Sequence, residues 1–273
     1  MLAFDYARYR VPPGGGFRLA SIDPADAQGV EAAAAKQQFK ANRERLAELQ
    51  ERLYAEGKQA LLVILQAMDT AGKDSTIRKV MSGVNPQGCR VWSFKKPSAE
   101  EQAKDFLWRV HDHVPPRGHI ALFNRSHYED VLIVRVHGLA PPMLIQNRYG
   151  HINDFEELLH EHHTRVVKIM LHISKDYQLE RLRRRLRRPD KHWKFNPDDL
   201  RERARWDDYM KAYEIALNRC STAQAPWYVV PAEHRWFRDL VVSQLLVDTL
   251  DAMNPQYPPP AFDPAQYPPE SIE

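Results

Sequence analysis

Ala67-Met68-Asp69-Thr70-Ala71-Gly72-Lys73-Asp74-Ser75-Thr76 follows directly on the apolar run Leu61-Leu62-Val63-Ile64-Leu65. A strand, a tight loop of small residues and a Lys opening a helix are the parts of a phosphate-binding loop. Backbone N–H groups point inward there, and the partial positive charge of the helix N-terminus adds to the Lys73 ammonium. Against the pattern G-x-x-x-x-G-K-[ST], Gly72 and Lys73 are in place. Ala67 stands for the first Gly, and Asp74 stands for the metal-binding hydroxyl, with Ser75 one step later. A polar strand-to-helix turn with a surface Lys is the plain alternative.

A second polar segment, Phe123-Asn124-Arg125-Ser126-His127-Tyr128-Glu129-Asp130, ends another apolar run. In phosphate-loop enzymes the neighbouring strand ends in a carboxylate that holds Mg²⁺, directly or through water. Asn124 occupies that place and an amide carries no charge, so metal-holding falls to Asp69 in the loop and to Glu129 or Asp130. One or two carboxylates suffice for an ion that keeps several waters. Arg125, at the carboxyl end of a strand, is suited to clamp phosphate oxygens bidentately. The alternative for this segment is an Arg125 that pairs with Glu129 or Asp130 merely to brace the turn.

Charge is concentrated in one place. The chain nets +3, yet twelve Lys or Arg against six Asp or Glu lie between Lys175 and Arg205. Arg181, Arg183, Arg184, Arg185, Arg187 and Arg188 crowd one predicted helix ahead of Pro189 and Lys191. Residues four apart, such as Arg181 with Arg185 and Arg184 with Arg188, stack together, while Leu182 and Leu186 supply a packed side. Part of this charge is a solvated face. Such crowding also suits an anion that neutralises it, as in the basic lid of a nucleotide kinase, with Lys191 and the arginines nearest Pro189 as the reaching groups. RNA binding is the rival use of an Arg run, but only Trp193 and Phe195 are near for stacking on bases.

The elements that must position these groups alternate. Helix is expected over 31–56, stopped by Gly57, and strand over 61–66, followed by helix from Asp74 to about Ser82. Strands at 90–94, 120–123, 166–173 and 227–230 follow. Helices are expected at 99–113 after the cap Ser98, from a cap at Asn153 or Asp154, through much of 176–219, and over 235–253. Five strands alternating with helices imply an α/β fold, a three-layer α/β/α sandwich around a five-stranded parallel sheet with a helical lid, and ligands at the strands' carboxyl ends. Residues 1–30, with Pro12-Pro13-Gly14-Gly15-Gly16, are expected to be a flexible leader, 31–255 the catalytic domain with a lid insertion at about 176–219, and 256–273 a Pro-rich arm.

Composition bounds the setting. Hydrophobic residues make up 43% and charged residues 27%, with no run approaching the roughly 20 apolar residues of a membrane span. Met1 to Tyr6 lacks a basic-then-apolar signal pattern, and Cys89 and Cys220 are too few for a disulfide framework, so a cytoplasmic protein is expected. Twelve histidines have no metal-like spacing; His127 could touch phosphate or be an ordinary loop residue. Lys95 and Lys96 follow the second strand, where one could meet a phosphate chain.

Taken together, these residues resemble the polyphosphate kinase type 2 family, most closely its class III, over about Tyr54 to Pro255. The likeness rests on Gln66 to Asp74, Asn85-Pro86-Gln87-Gly88, Phe123 to Val131, Lys191-His192-Trp193-Lys194-Phe195-Asn196-Pro197 and Ala225 to Ala232. The resemblance implies phosphoryl transfer from inorganic polyphosphate to nucleoside mono- and diphosphates (AMP to ADP, ADP to ATP, with GMP and GDP as further acceptors). It implies Mg²⁺, with Mn²⁺ as a substitute, and at least a homodimer or homotetramer, without membrane or specific nucleic acid. The candidate catalytic set is Asp69, Lys73, Arg125, Glu129 and Asp130, with Asp69, Glu129 and Asp130 as metal ligands. The candidate phosphate-binding set is Ala71, Gly72, Asp74, Ser75, Lys95, Lys96, Arg185, Arg188 and Lys191. Class I members carry Asp for Asn124 and Asn-Arg for Glu129-Asp130, so the acidic pair here implies the class that also accepts monophosphates. No nucleophile with an adjacent base is evident, so transfer is expected to be direct and in line. An ATP-dependent nucleotide kinase and a non-catalytic polyanion or RNA binder are the other two readings.

Overall fold

A computed structural model describes residues 3–272, which leaves the N-terminal reading at Met1 and Leu2 outside the described residues. In chain order its elements are helix α1 (Ala32–Glu56), strand β1 (Ala60–Gln66), α2 (Lys73–Val80), β2 (Cys89–Ser93), α3 (Ala99–Gln102), α4 (Trp108–His111) and β3 (Ile120–Asn124). These are followed by α5 (Ile133–Val136), α6 (Pro142–Glu161), β4 (Thr164–His172), α7 (Lys175–Leu186), α8 (Asp198–Ala204), α9 (Trp206–Cys220), β5 (Trp227–Pro231) and α10 (Arg235–Met253).

All strand pairs are parallel, in the order β2-β3-β1-β4-β5. The order follows from burial. β1 is buried throughout and β4 nearly so, as central strands covered on both faces must be. β2 lies at one edge, with Val91 and Trp92 exposed. On one face α1 packs along α10, with α2 beside it; on the other lie α5, α6 and α9. The chain leaves β1 for the β3 side and later returns to the β4 side, so the carboxyl ends of β1 and β3 border the topological switch point where α/β sheets bind ligands.

Local chemistry sets the boundaries. Gly57 ends α1 in the left-handed region at φ 64°, its N–H donating to the Leu53 carbonyl. Ser98 and Glu101 form a reciprocal capping box on α3. The single helix expected over 99–113 is nevertheless two short ones, because the Asp105 carboxylate accepts from the N–H groups of Leu107 and Trp108 and restarts the chain. The helix expected from Asn153 or Asp154 begins eleven residues before Asn153, at Pro142, whose missing N–H costs nothing in the first turn. The segment expected to be a flexible leader is packed: Tyr9, Val11 and Leu19 are buried, and Arg10 bridges Tyr228 of β5. Within 176–219, α9 buries Trp206, Ala212, Ala216 and Leu217 in the core, so the exposed basic part is confined to α7, the following 3-10 turn and α8.

Candidate active site

The loop after β1 turns on two residues with positive φ, Thr70 at 72° and Gly72 at 109°. Gly72 is the N-cap of α2. A Cβ there would lie 2.3 Å from Nη1 of Arg238 and would have to displace that guanidinium, on a backbone conformation that favours glycine. Arg238, buried at the start of α10, donates to the Ala71 carbonyl (3.3 Å) and to Ser75 Oγ (3.2 Å) and is paired with Asp239 at 2.6 Å. Asp239 in turn accepts from Lys79 of α2 at 2.6 Å. The loop is thus clamped from behind by α10. Sequence reasoning missed this clamp, although an Arg-Asp pair amid Trp236, Phe237, Leu240, Val241 and Val242 was a legible signal.

Lys73 is buried, its ammonium donating to the Ala67 carbonyl at 2.8 Å. Burial, then the nearby Arg125, lowers its proton affinity, while Asp69, Glu129 and Asp74 oppose that. Asp74 accepts from the Asn124 side chain at 2.7 Å, tying the start of α2 to the end of β3. This pairing gives a structural place to both departures from the loop pattern and from the strand-end carboxylate. Ser75 Oγ donates back to the Gly72 carbonyl at 2.8 Å.

Arg125 follows β3 and extends the ladder by donating its N–H to the Leu65 carbonyl at 3.0 Å. Its φ of 64° is unusual for a residue with a side chain. Its guanidinium lies 2.7 Å from Asp69 and 3.7 Å from Glu129. Burial disfavours its charge, but Glu129 and Asp69 outweigh burial and hold it more firmly protonated than usual. Asp69, Lys73, Arg125 and Glu129 therefore share one site at the carboxyl ends of β1 and β3.

The 3-10 turn His127–Asp130 presents its residues in opposite directions. Tyr128 is buried and donates to Glu156 at 2.8 Å; His127, also buried, faces the same carboxylate at 3.4 Å. Lys168 of β4 donates to Glu156, to the Tyr128 hydroxyl and to the Cys220 carbonyl. His127 is accordingly an anchor, and burial lowers its proton affinity. Asp130 is not in the Arg125 group: it pairs with Arg148 of α6 at 3.3 Å, and burial pushes its carboxyl up to about 6. The two carboxylates between which the sequence left the role open are thus divided, Glu129 facing Arg125 and Asp130 facing α6.

Lys95 and Lys96 line a cavity of about 310 Å³ together with Asn124 and Arg125. Over the loop, Gln178 of α7 donates to the Asp69 carbonyl at 3.1 Å. Arg185 is bound to Asp199 of α8 at 3.0 Å. Asp199 is close enough to Asp69 to feel its charge, and burial first and Asp69 second push its carboxyl up to about 6. Asp199 was not among the expected site residues; it lies just after the Lys191–Pro197 motif in sequence. Arg188 and Lys191 both pair with Asp190 at 2.9 Å on the exposed 3-10 turn Pro189–Lys194, and among the described residues neither bonds the loop.

Buried arginine and lysine beside a small-residue loop, two carboxylates on one guanidinium, and a basic helix overhead at the carboxyl edge of a parallel sheet define an α/β phosphoryl-transfer enzyme. The chain belongs to the polyphosphate kinase 2 family, whose sequence model matches residues 29–258. It is 51% identical over 255 residues to an AMP/ADP-polyphosphate phosphotransferase of Meiothermus ruber, covering 93% of this chain and 96% of that one. It is 48% identical over 231 residues to an ADP-polyphosphate phosphotransferase of Rhodopseudomonas palustris, covering 79% and 78%. The crystal structure of polyphosphate kinase 2 from Arthrobacter aurescens superposes with a TM-score of 0.94 at 48% identity, over 97% of this chain and 96% of that one. Among the described residues no helix is long and apolar enough to cross a membrane.

Proposed function

We propose that this kinase transfers phosphoryl groups from inorganic polyphosphate to nucleoside monophosphates and diphosphates, AMP and ADP first among them. The observation that carries the reading is the Asp69–Arg125–Glu129 group beside Lys73: a fixed cation flanked by two carboxylates at a phosphate-accepting loop. The loop N–H groups and Lys73 hold the donor's terminal phosphate, while Arg125 spans the transferred group, and Lys95 or Lys96 meets the acceptor phosphate. Catalysis is then positioning and charge neutralisation. Acceptance of monophosphates rests on Asn124 with Glu129-Asp130, and on the AMP/ADP activity for which the Meiothermus ruber relative is named.

Among the described residues no cluster of three or more His, Cys, Asp or Glu could hold a metal by itself. The oxygen donors Asp69 and Glu129, each about a quarter exposed, suit Mg²⁺ (or Mn²⁺), which completes its shell with water and phosphate oxygens. When bound it would neutralise charge on the reacting phosphates. Asp130 braces the turn through Arg148 instead. Assembly of two or four copies is supported by exposed Leu139, Met143 and Leu144, and a cytoplasmic setting by two free cysteines.

The test is incubation of AMP or ADP with polyphosphate and Mg²⁺ in the absence of ATP. ADP and ATP are the expected products; their absence, with transfer restored by ATP as donor, would overturn the reading. Lys73→Ala and Asp69→Asn are expected to lower the rate at least about a hundredfold, the scale for losing a transition-state charge contact.

A further inference from the structure

A groove of about 430 Å³ lies on the α1, α2 and α10 face, lined by Lys36, Arg43, Arg78, Lys79, Trp236 and Asp239. Four cations face one carboxylate. Lys79 is committed to Asp239 and Arg43 to the carbonyl and hydroxyl of Ser82. Among the described residues, Lys36 and Arg78 have no carboxylate within ion-pair distance. Like charges crowded without acids cost free energy unless an anion neutralises them, and among the described residues the one carboxylate of the groove, Asp239, is taken by Lys79.

The groove is physically joined to the phosphate loop. Arg78 and Lys79 stand five and six residues after Lys73 on α2, which places them roughly 8–9 Å further along the same helix. Asp239, on its wall, is the partner of Arg238, which clamps Ala71 and Ser75. A second cationic link runs around the N-terminus of α10. Arg235, next to Trp236, stands close enough to Arg181 of α7 to lower that guanidinium's proton affinity, burial contributing first and Arg184 and Arg185 afterwards. Cations thus stand on α7 (Arg181), at the first residue of α10 (Arg235) and, beside Trp236, along the groove. A mononucleotide needs no such length. A linear chain of phosphates does, because each added phosphate brings another charge that must be matched.

We propose that this groove is a distal subsite for the donor, in which Lys36 and Arg78 hold phosphates of a long polyphosphate chain well away from the reacting end. The proposal rests on the polyphosphate reading above and adds chain-length selection to it. Neither side chain touches the reacting centre, so the groove selects long donors without altering the transfer step.

The test compares wild type with Lys36→Ala/Arg78→Ala, using long-chain polyphosphate and tripolyphosphate as donors, and measures long-chain binding directly by titration. A matched control, Lys58→Ala/Arg117→Ala, removes two exposed cations near the amino ends of β1 and β3. The groove variant is expected to raise KM and Kd for long-chain polyphosphate roughly tenfold, as loss of two exposed charge contacts would. Its kcat and its KM for tripolyphosphate are expected to stay within about twofold, and the control is expected to match wild type. An unchanged long-chain KM and Kd, an equal rise for tripolyphosphate, or the same rise in the control would each overturn the proposal. Groove-dependent binding without transfer by wild type would refute the donor reading and leave the subsite standing.

Discussion

Replacing Gly72 by Ala tests the loop geometry most directly. Two costs follow from the structure. The backbone at φ 109° lies where side-chain-bearing residues rarely go, a strain of roughly 1–3 kcal/mol. The new methyl would also sit 2.3 Å from Arg238 Nη1, so the guanidinium must withdraw by about 1 Å to reach ordinary contact. Arg238 is only 1% exposed and cannot turn to water. It loses its hydrogen bonds at 3.3 and 3.2 Å to Ala71 and Ser75, which are long, and at about 1 kcal/mol each they are together worth roughly 2 kcal/mol. The sum is a destabilisation of roughly 3–5 kcal/mol. A loop displaced by about 1 Å should also lose kcat about a hundredfold. Urea unfolding of Gly72→Ala, Arg238→Gln and the double variant measures both costs: with Arg238 shortened, Gly72→Ala should retain only the backbone strain, a coupling of about 2 kcal/mol. Stability within about 0.5 kcal/mol of wild type, or strict additivity in the cycle, would refute the clamp.

Glu156→Gln should destabilise the protein by roughly 3–5 kcal/mol in the same unfolding assay, because Lys168 is left as a buried charge without its carboxylate; joint replacement of Glu156 and Lys168 by Leu should recover most of this. Asp130 supplies a pH dependence. Its carboxyl is raised to about 6 by burial, so the folded state binds the proton more tightly than the unfolded chain does. Its contribution to stability is full below the unfolded value near 3.8 and is lost as pH rises through about 6. The fall in unfolding free energy between about pH 4 and pH 7 should therefore be shallower in Asp130→Asn, by up to about 3 kcal/mol. Equal slopes would show that Asp130 titrates normally.

Much of the site was legible because its parts are local in sequence. Apolar runs of strand length announced the four inner and far-edge strands, the alternation with helices announced the mixed edge strand β2, and Gly72-Lys73 after the first strand located the loop. That Arg125 would pair within its own turn was legible too, but the sequence left Glu129 and Asp130 open as partners, and the fold chose Glu129. The helix from Pro142 was overlooked because polar Asn153 and Asp154 look like caps, whereas Pro141-Pro142 was the true start signal. The break at Asp105 depended on one side chain capturing two N–H groups, which competes with a helical pattern that the residue types alone favour.

What the chain determined by itself is the class of chemistry: a loop for phosphate, a guanidinium with carboxylates near it in sequence, and a strongly basic helix. Only the tertiary structure decided which of those groups meet. It divided Glu129 from Asp130 by placing Arg148 of α6 beside the latter, and it turned His127 inward to Glu156. It brought Asp199 and Gln178 to Asp69 from more than a hundred residues away, and it set Arg238 behind Gly72. The physical reason is that residue type fixes what a side chain can do, whereas its charge state and partner depend on burial and on neighbours supplied by distant elements, which local spacing does not encode.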